Sequence, residues 1–316
     1  MNENTHRVVA RGERAQGGID SFGAGALLQL VRNHLVYSSA MAFRGASKDR
    51  GRPPQWLARL KDIRLVGMES NGSGETNLYF RAPRYQDAAG ELYEQAELWP
   101  TRPDPCWTSF ESYAEVVRDI KAANKDSDRF DRTLLENFVR WDKKVLGYFD
   151  QVIFEEHREG RPQAVEITRE LIREARKLDS ATPKPRLVQV VGMLDMLRAS
   201  AHAFGLCLDD GVEVRGVFEG EQLEGWRPLL GQRVLVQGSA IYKPSGKLLR
   251  IDATSVSEGS KEPALLSKIP PPLSRSTRDR DWHQPQTATS GVNAFFGKIP
   301  ADDDPVEFAR VLKELS

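Results

Sequence analysis

The sequence predicts an α+β protein: an N-terminal α+β domain, a helical connector, a C-terminal five-stranded β-barrel, a disordered linker and a short C-terminal helix. Three observations carry this reading. Apolar residues recur at helical spacing in four stretches before residue 186, around one β-prone hairpin. Residues 186–254 then hold three β-like runs, a short helical run and two more β-like runs, with turn formers between them. Residues 255–290 are rich in Ser, Pro, Thr and charge without apolar periodicity, which is the composition of a linker. At 316 residues and 40% apolar content the chain has room for two domains with real cores.

Bulk charge excludes little and favours little. Lys+Arg and Asp+Glu are equal at 45 each, so a polyanionic partner could be held only by a local basic patch. Cys106 and Cys207 lie in different predicted domains, with no metal or redox spacing. The polar N-terminus lacks the apolar core of a signal peptide, and no run approaches a membrane span, so a cytoplasmic protein without a membrane partner is expected.

Taken in order, residues 1–18 read as a flexible arm, with Gly12, Gly17 and Gly18 among charges. An α+β domain follows over 19–155. Asp20 or Ser21 caps a first helix with Leu27, Leu28, Val31, Leu35 and Val36 on one face, and Gly51, Pro53 and Pro54 stop it. Residues 63–68 and 76–82 make a hairpin across SNGSGE. Its Asn71-Gly72-Ser73-Gly74 lacks the Lys-Ser/Thr of a phosphate-binding loop and reads as a turn. Thr108 and Glu111 stand at capping-box spacing before Tyr113, Val116, Val117 and Ile120. Ser127 or Asp128 caps a further helix carrying Phe130, Leu134, Leu135, Phe138, Trp141 and Val145. The connector spans 156–185. Pro162 is placed in the first turn of a helix with the stripe Val165, Ile167, Leu171, Ile172, Ala175 and Leu178, and Pro183 and Pro185 end it.

The barrel occupies 186–257. Its first strand runs from about Leu187 to Leu197, bends at Gly192, and directs Val188, Val190, Leu194 and Met196 inward. Phe204, Leu206 and Leu208 share a face of the second, and Asp210-Gly211 turns into VEVRGVF. Leu223, Trp226, Leu229 and Leu230 plug the barrel. RVLVQGSAIY then turns at Lys243-Pro244-Ser245-Gly246 into KLLRIDA, with Leu249 and Ile251 inward. This order, with Gly192, Gly211, Gly231 and Gly238, resembles OB-fold nucleic-acid-binding modules over some 69 residues. The resemblance implies a ligand across strands 2 and 3 and between the first and fourth loops. It assigns Arg198 and His202, Arg215, and Tyr242, Lys243 and Lys247 to a single-stranded nucleic acid, with Arg250 at the border. The segment 186–254 carries 8 basic and 8 acidic residues, so a protein-binding or purely structural barrel is also consistent with it.

After the 258–290 linker, where Arg275, Arg278 and Arg280 adjoin Trp282, order is expected to return at 291–316. Asp304 caps, Pro305 opens and Phe308, Val311, Leu312 and Leu315 stripe a helix too short to stand alone. The pattern FFGKIPADDD before an acidic, leucine-bearing helix resembles the tails of bacterial antitoxins paired with PIN-domain ribonuclease toxins. That resemblance implies a protein partner, a PIN-type nuclease, anchored by Phe295, Phe296, Phe308 and Leu312, with Asp302 and Asp303 facing a basic site. Docking of the same segment on its own chain is the alternative.

Enzyme signals are few. Pro103-Asp104 followed by Asp119-x-Lys121 matches a bare metal-nuclease spacing, but Asp119 and Lys121 fall in a predicted helix, where residues two apart diverge. His6, His34, His157, His202 and His283 show no catalytic spacing. No motif asks for a cofactor or metal. The expectation is a non-enzymatic binding protein with a nucleic-acid-contacting barrel and a partner-binding tail. A metal-dependent nuclease and a protein-only scaffold are the alternatives.

Overall fold

A computed structural model describes residues 5–13, 19–48, 51, 53–72, 74–94, 100–158, 161–219, 222–259 and 264–272, without the side chains of 157–162. They form a mixed α+β structure of two five-stranded sheets and seven α-helices. The first sheet contains β1 (Thr5–Arg11), β2 (Arg64–Ser70), β3 (Glu75–Arg81), β4 (Gln151–Arg158) and β5 (Arg161–Ile167), in the antiparallel order β2-β3-β1-β4-β5. Its helices are α1 (Ser21–Arg44), α2 (Gln55–Leu60), α3 (Tyr85–Ala89), α4 (Ser109–Lys121), α5 (Arg132–Lys144) and α6 (Arg169–Ala181).

Alternation explains how this sheet acquires a core. Val8 lies opposite Leu78 and Phe154, so all three point to one face, where they meet Leu27 and Val31 of α1, Tyr113 and Val117 of α4, Phe138 and Trp141 of α5 and Leu171 of α6. The helices begin where side chains satisfy free N–H groups. Asp20 Oδ1 accepts from Phe22 and Gly23 N at 3.0 and 2.9 Å, and Thr108 and Glu111 form the expected capping box. Gly45, at φ 66°, ends α1 in the left-handed conformation that glycine adopts at least cost.

Several expectations are corrected here. Residues 5–11 are not a flexible arm but β1, the central strand. Its arginines lie on the outer face, where Arg7 pairs with Glu155 and Arg11 with Glu75. The connector contributes to the first layer throughout: β4 runs past residue 155, Pro162 sits in strand β5, and α6 starts only at Arg169, capped by Thr168. Helix α5 is capped by Asp131, because Ser127 donates instead to Asp119, and Asp128 pairs with Lys243. The short helices α2 and α3 fall in stretches that gave no periodic signal.

The second sheet comprises β6 (Arg186–Arg198), β7 (Ala203–Cys207), β8 (Glu213–Val217), β9 (Arg233–Tyr242) and β10 (Leu248–Glu258), with α7 (Leu223–Trp226) between β8 and β9. Strand β6 pairs with β7 and β9, β7 with β8, β9 with β10, and β8 with β10 in parallel. Val190, Leu194, Phe204, Val236 and Ile251 pack together on its inner face, with Trp226 close to Phe204 and stacked on Phe218. Gly238 is required: a Cβ there would meet Asp252 O at 2.3 Å.

Three inward assignments change. A register shift between Leu194 and Met196 turns Met196 outward, toward α1–α3, and a shift at Leu248/Arg250 leaves Leu249 in the first layer's core. Leu230 is exposed and plugs nothing. Part of the predicted linker is also ordered: Ser267 Oγ donates to Asp209, Tyr242 Oη to Pro270 O and Arg186 to Pro271 O, strapping 264–272 along the second sheet.

Both layers belong to one compact unit. Ile241 and Leu249 enter the core beneath the first sheet, while Ala201, Ala203 and Val217 join Phe43, Trp56, Leu57 and Tyr85 in a second core that bridges the layers. Residues 274–316 lie outside the described residues, and with them the tail anchors Phe295, Phe296, Asp302, Asp303, Phe308 and Leu312. Among the described residues no helix is long and apolar enough to cross a membrane.

Candidate functional site

The predicted nucleic-acid face rests on two turns of the second sheet and on the strands between them. The β9–β10 turn is set by Lys243-Pro-Ser-Gly-Lys247, in which Gly246 adopts φ 88°, and the Lys243 and Lys247 backbones close it with a 2.8 Å hydrogen bond. Both lysines point at the loop between α4 and α5. Lys243 Nζ is 2.9 Å from Asp128 Oδ1 and donates to Asp126 O at 3.1 Å, Lys247 Nζ is 3.2 Å from Asp126 Oδ1, and Ser245 N donates to Lys125 O. Hydrogen bonds from Ser245 and Lys247 hold the Asp126 carboxyl below its ordinary range.

The β6–β7 turn is docked in the same way. Trp56 Nε1 of α2 donates to Ser200 O at 2.9 Å, and Ala201 beside it is fully buried. Arg198 is buried as well. His202 takes a left-handed φ of 51°, and burial, then the charge of Arg44, lowers its pKa. It is therefore a poor proton carrier for a phosphate at neutral pH.

Tyr242 is not a stacking platform. The residue is 2% exposed among the inner-face residues, and burial raises the pKa of its hydroxyl. A tyrosine at a strand end reads as exposed in sequence. The strap at 264–272, whose Pro270 O accepts its hydroxyl, reads as linker in sequence.

Arg250 anchors the junction. Its guanidinium donates to Gly45 O at 2.7 Å, stands 3.2 Å from Asp131 Oδ2 and bonds Asp252 Oδ1 at 2.6 Å. Burial opposes this charge, but Asp252 and Asp131 outweigh it and the pKa is raised. Asp131 also accepts from Ser47 N and Oγ while capping α5, so one carboxylate ties the segment after α1, α5 and β10 together. Arg44 lies close by, its pKa pulled down to about 10 by burial and by the Arg250 charge. A groove of about 370 Å³ opens beside this network, where Lys48, Arg132 and Arg250 are balanced by Asp131, Glu136 and Asp252.

Of the six predicted contact residues, then, Lys243 and Lys247 share one turn, Arg198 and His202 another, Arg215 is half-buried on β8 and Tyr242 points inward. They do not line one open basic surface. Asp126, Asp128, Asp131, Trp56 and Ser47, which engage the two turns and Arg250, carry no such signal in the sequence, where Ser127 or Asp128 reads only as a helix cap. The nuclease spacing fares no better as a cluster. Asp104 caps Cys106 N, while Asp119 in α4 accepts from Ser127 and pairs with Arg129. Among the described residues no group of three or more His, Cys, Asp or Glu side chains could hold a metal ion. No family model, curated protein or solved structure matches the chain.

Proposed function

We propose that the chain is a non-enzymatic interaction scaffold in which the second sheet is an OB-type barrel serving as an internal brace. The cyclic pairing of β6 to β10, the parallel β8–β10 contact and the short helix before β9 support the barrel reading. One observation carries the function: the turns and strands with which such a barrel would grip an oligonucleotide are engaged by the first layer. Trp56 holds the β6–β7 turn, Asp126 and Asp128 hold the β9–β10 turn, and Ala203 and Val217 are part of the bridging core. Two aspartates on two lysines occupy the place that phosphates would take. In this reading the external partner is a protein, recruited by residues 291–316 in the manner of an antitoxin tail, with Phe295, Phe296, Phe308 and Leu312 as anchors and Asp302 and Asp303 toward a basic site.

Fluorescence anisotropy with labelled single-stranded DNA and RNA at low salt tests the brace. No saturable binding that depends on Lys243, Lys247 or Tyr242 is expected. Salt-sensitive binding weakened by Lys243→Ala or Lys247→Ala would overturn the proposal in favour of the nucleic-acid reading.

A further inference from the structure

Among the described residues strand β2 is an edge of the first sheet. It pairs with β3 on one side, and three of its residues are large, apolar and exposed: Leu65 at 43%, Val66 at 47% and Met68 at 57%. An exposed edge of this kind is a template for pairing with another strand.

Its register says which strand fits. Leu65 lies opposite Phe80 and Met68 opposite Leu78, so both share the helix-covered face of the sheet while remaining exposed. Arg64 lies opposite Arg81, Gly67 opposite Tyr79 and Glu69 opposite Asn77, on the other face. The bulge between Leu65 and Gly67 brings Leu65 and Met68, three positions apart, to the same side. Read outward from Val66-Gly67, the strand is therefore symmetric in character: an apolar residue on the helix-covered face, then a charge on the opposite face, positive at one end and negative at the other.

We propose that β2 is the contact through which two copies of this chain associate, antiparallel about a two-fold axis at Val66-Gly67. In that register Leu65 meets Met68 of the second copy and Arg64 meets Glu69 of the second copy, each pair occurring twice. The charges are accessible. The Arg64 side chain is 67% exposed and bonds the exposed Asp62, and Glu69 accepts from Tyr79 Oη on the same outer face. The same pairing run parallel would set like charges together. Contact along one short strand falls below the roughly 1,200 Å² typical of stable complexes, so the association depends on concentration.

Sedimentation velocity of the full chain across the micromolar range reads this directly, with circular dichroism confirming that each variant is folded. The wild-type dimer fraction should rise with concentration. Met68→Lys should weaken association by roughly tenfold or more. Arg64→Glu and Glu69→Arg alone should each weaken it, and the double variant, with the ion pairs reversed, should recover it. A wild-type chain that stays monomeric, a dimer indifferent to Met68→Lys, or a double variant no tighter than the single ones would each overturn the proposal.

Discussion

His34 shows how a single buried side chain fixes a protonation state. Its Nδ1 lies 2.8 Å from Leu30 O, an acceptor, so Nδ1 carries the proton and Nε2 is left to accept from Trp141 Nε1 at 3.2 Å. Phe138 and Tyr113 close the remaining sides. Burial, with a smaller contribution from Arg140, pushes the pKa from 6.5 down to about 4. The unfolded chain therefore binds the proton more readily, and stability rises with pH between about 4 and 6.5. The effect is fully present above 6.5 and is lost as pH falls toward 4, on the order of 3 kcal/mol for this group. Urea midpoints at pH 7 and pH 4.5 should differ in the wild type, and the difference should shrink in His34→Leu even though that variant is weaker at pH 7. An undiminished pH dependence in the variant would mean other groups are responsible.

At the scale of elements, glycines divide into those that permit a contact and those that merely tolerate one. Gly238 of β9 lets β10 approach, and its missing Cβ would sit 2.9 Å from Ala253 Cα as well as on Asp252 O. Gly225 in α7 faces open space. Gly238→Ala should cost about 1–3 kcal/mol or more in a thermal or urea melt, whereas Gly225→Ala should be neutral or stabilise by up to about 1 kcal/mol. Equal effects would mean that the β9–β10 approach is not needed. Elements of this kind were legible in the sequence wherever a local rule governed them: the cap at Thr108–Glu111, the stripes of α1, α4 and α5, and the β-β-β-α-β-β order after residue 186. Strand β1 was not, because seven residues with two arginines look like a tail until the partners that pair them, Glu75 and Glu155, are brought alongside from far down the chain. The candidate site was misjudged for the same reason. Lys243, Lys247 and Tyr242 look available in sequence, and only tertiary packing supplies Asp126, Asp128 and the inner face that engage them.

Across the described residues the two layers share two of the three apolar cores and a buried charge network, so neither should be independent. A fragment of residues 186–272 would expose Ala201, Ala203, Val217, Ile241 and Leu249 and leave Arg250 without Asp131 or Gly45. It is expected to bind a hydrophobic dye and to melt without a cooperative transition, while the full chain unfolds in a single calorimetric step. Two resolved transitions in the full chain, or a fragment that folds alone, would contradict this.

The central position of β1 has a further bearing on how the molecule comes into being. The strand lies far from both its neighbours along the chain, since Val8 faces Leu78 on one side and Phe154 on the other. Strand β3 supplies one row of partners to Val8, Val9 and Ala10, and the other edge stays open until β4 has been added. The first sheet is thus completed by long-range pairing, which slows folding and leaves a strand edge open until the later strand arrives.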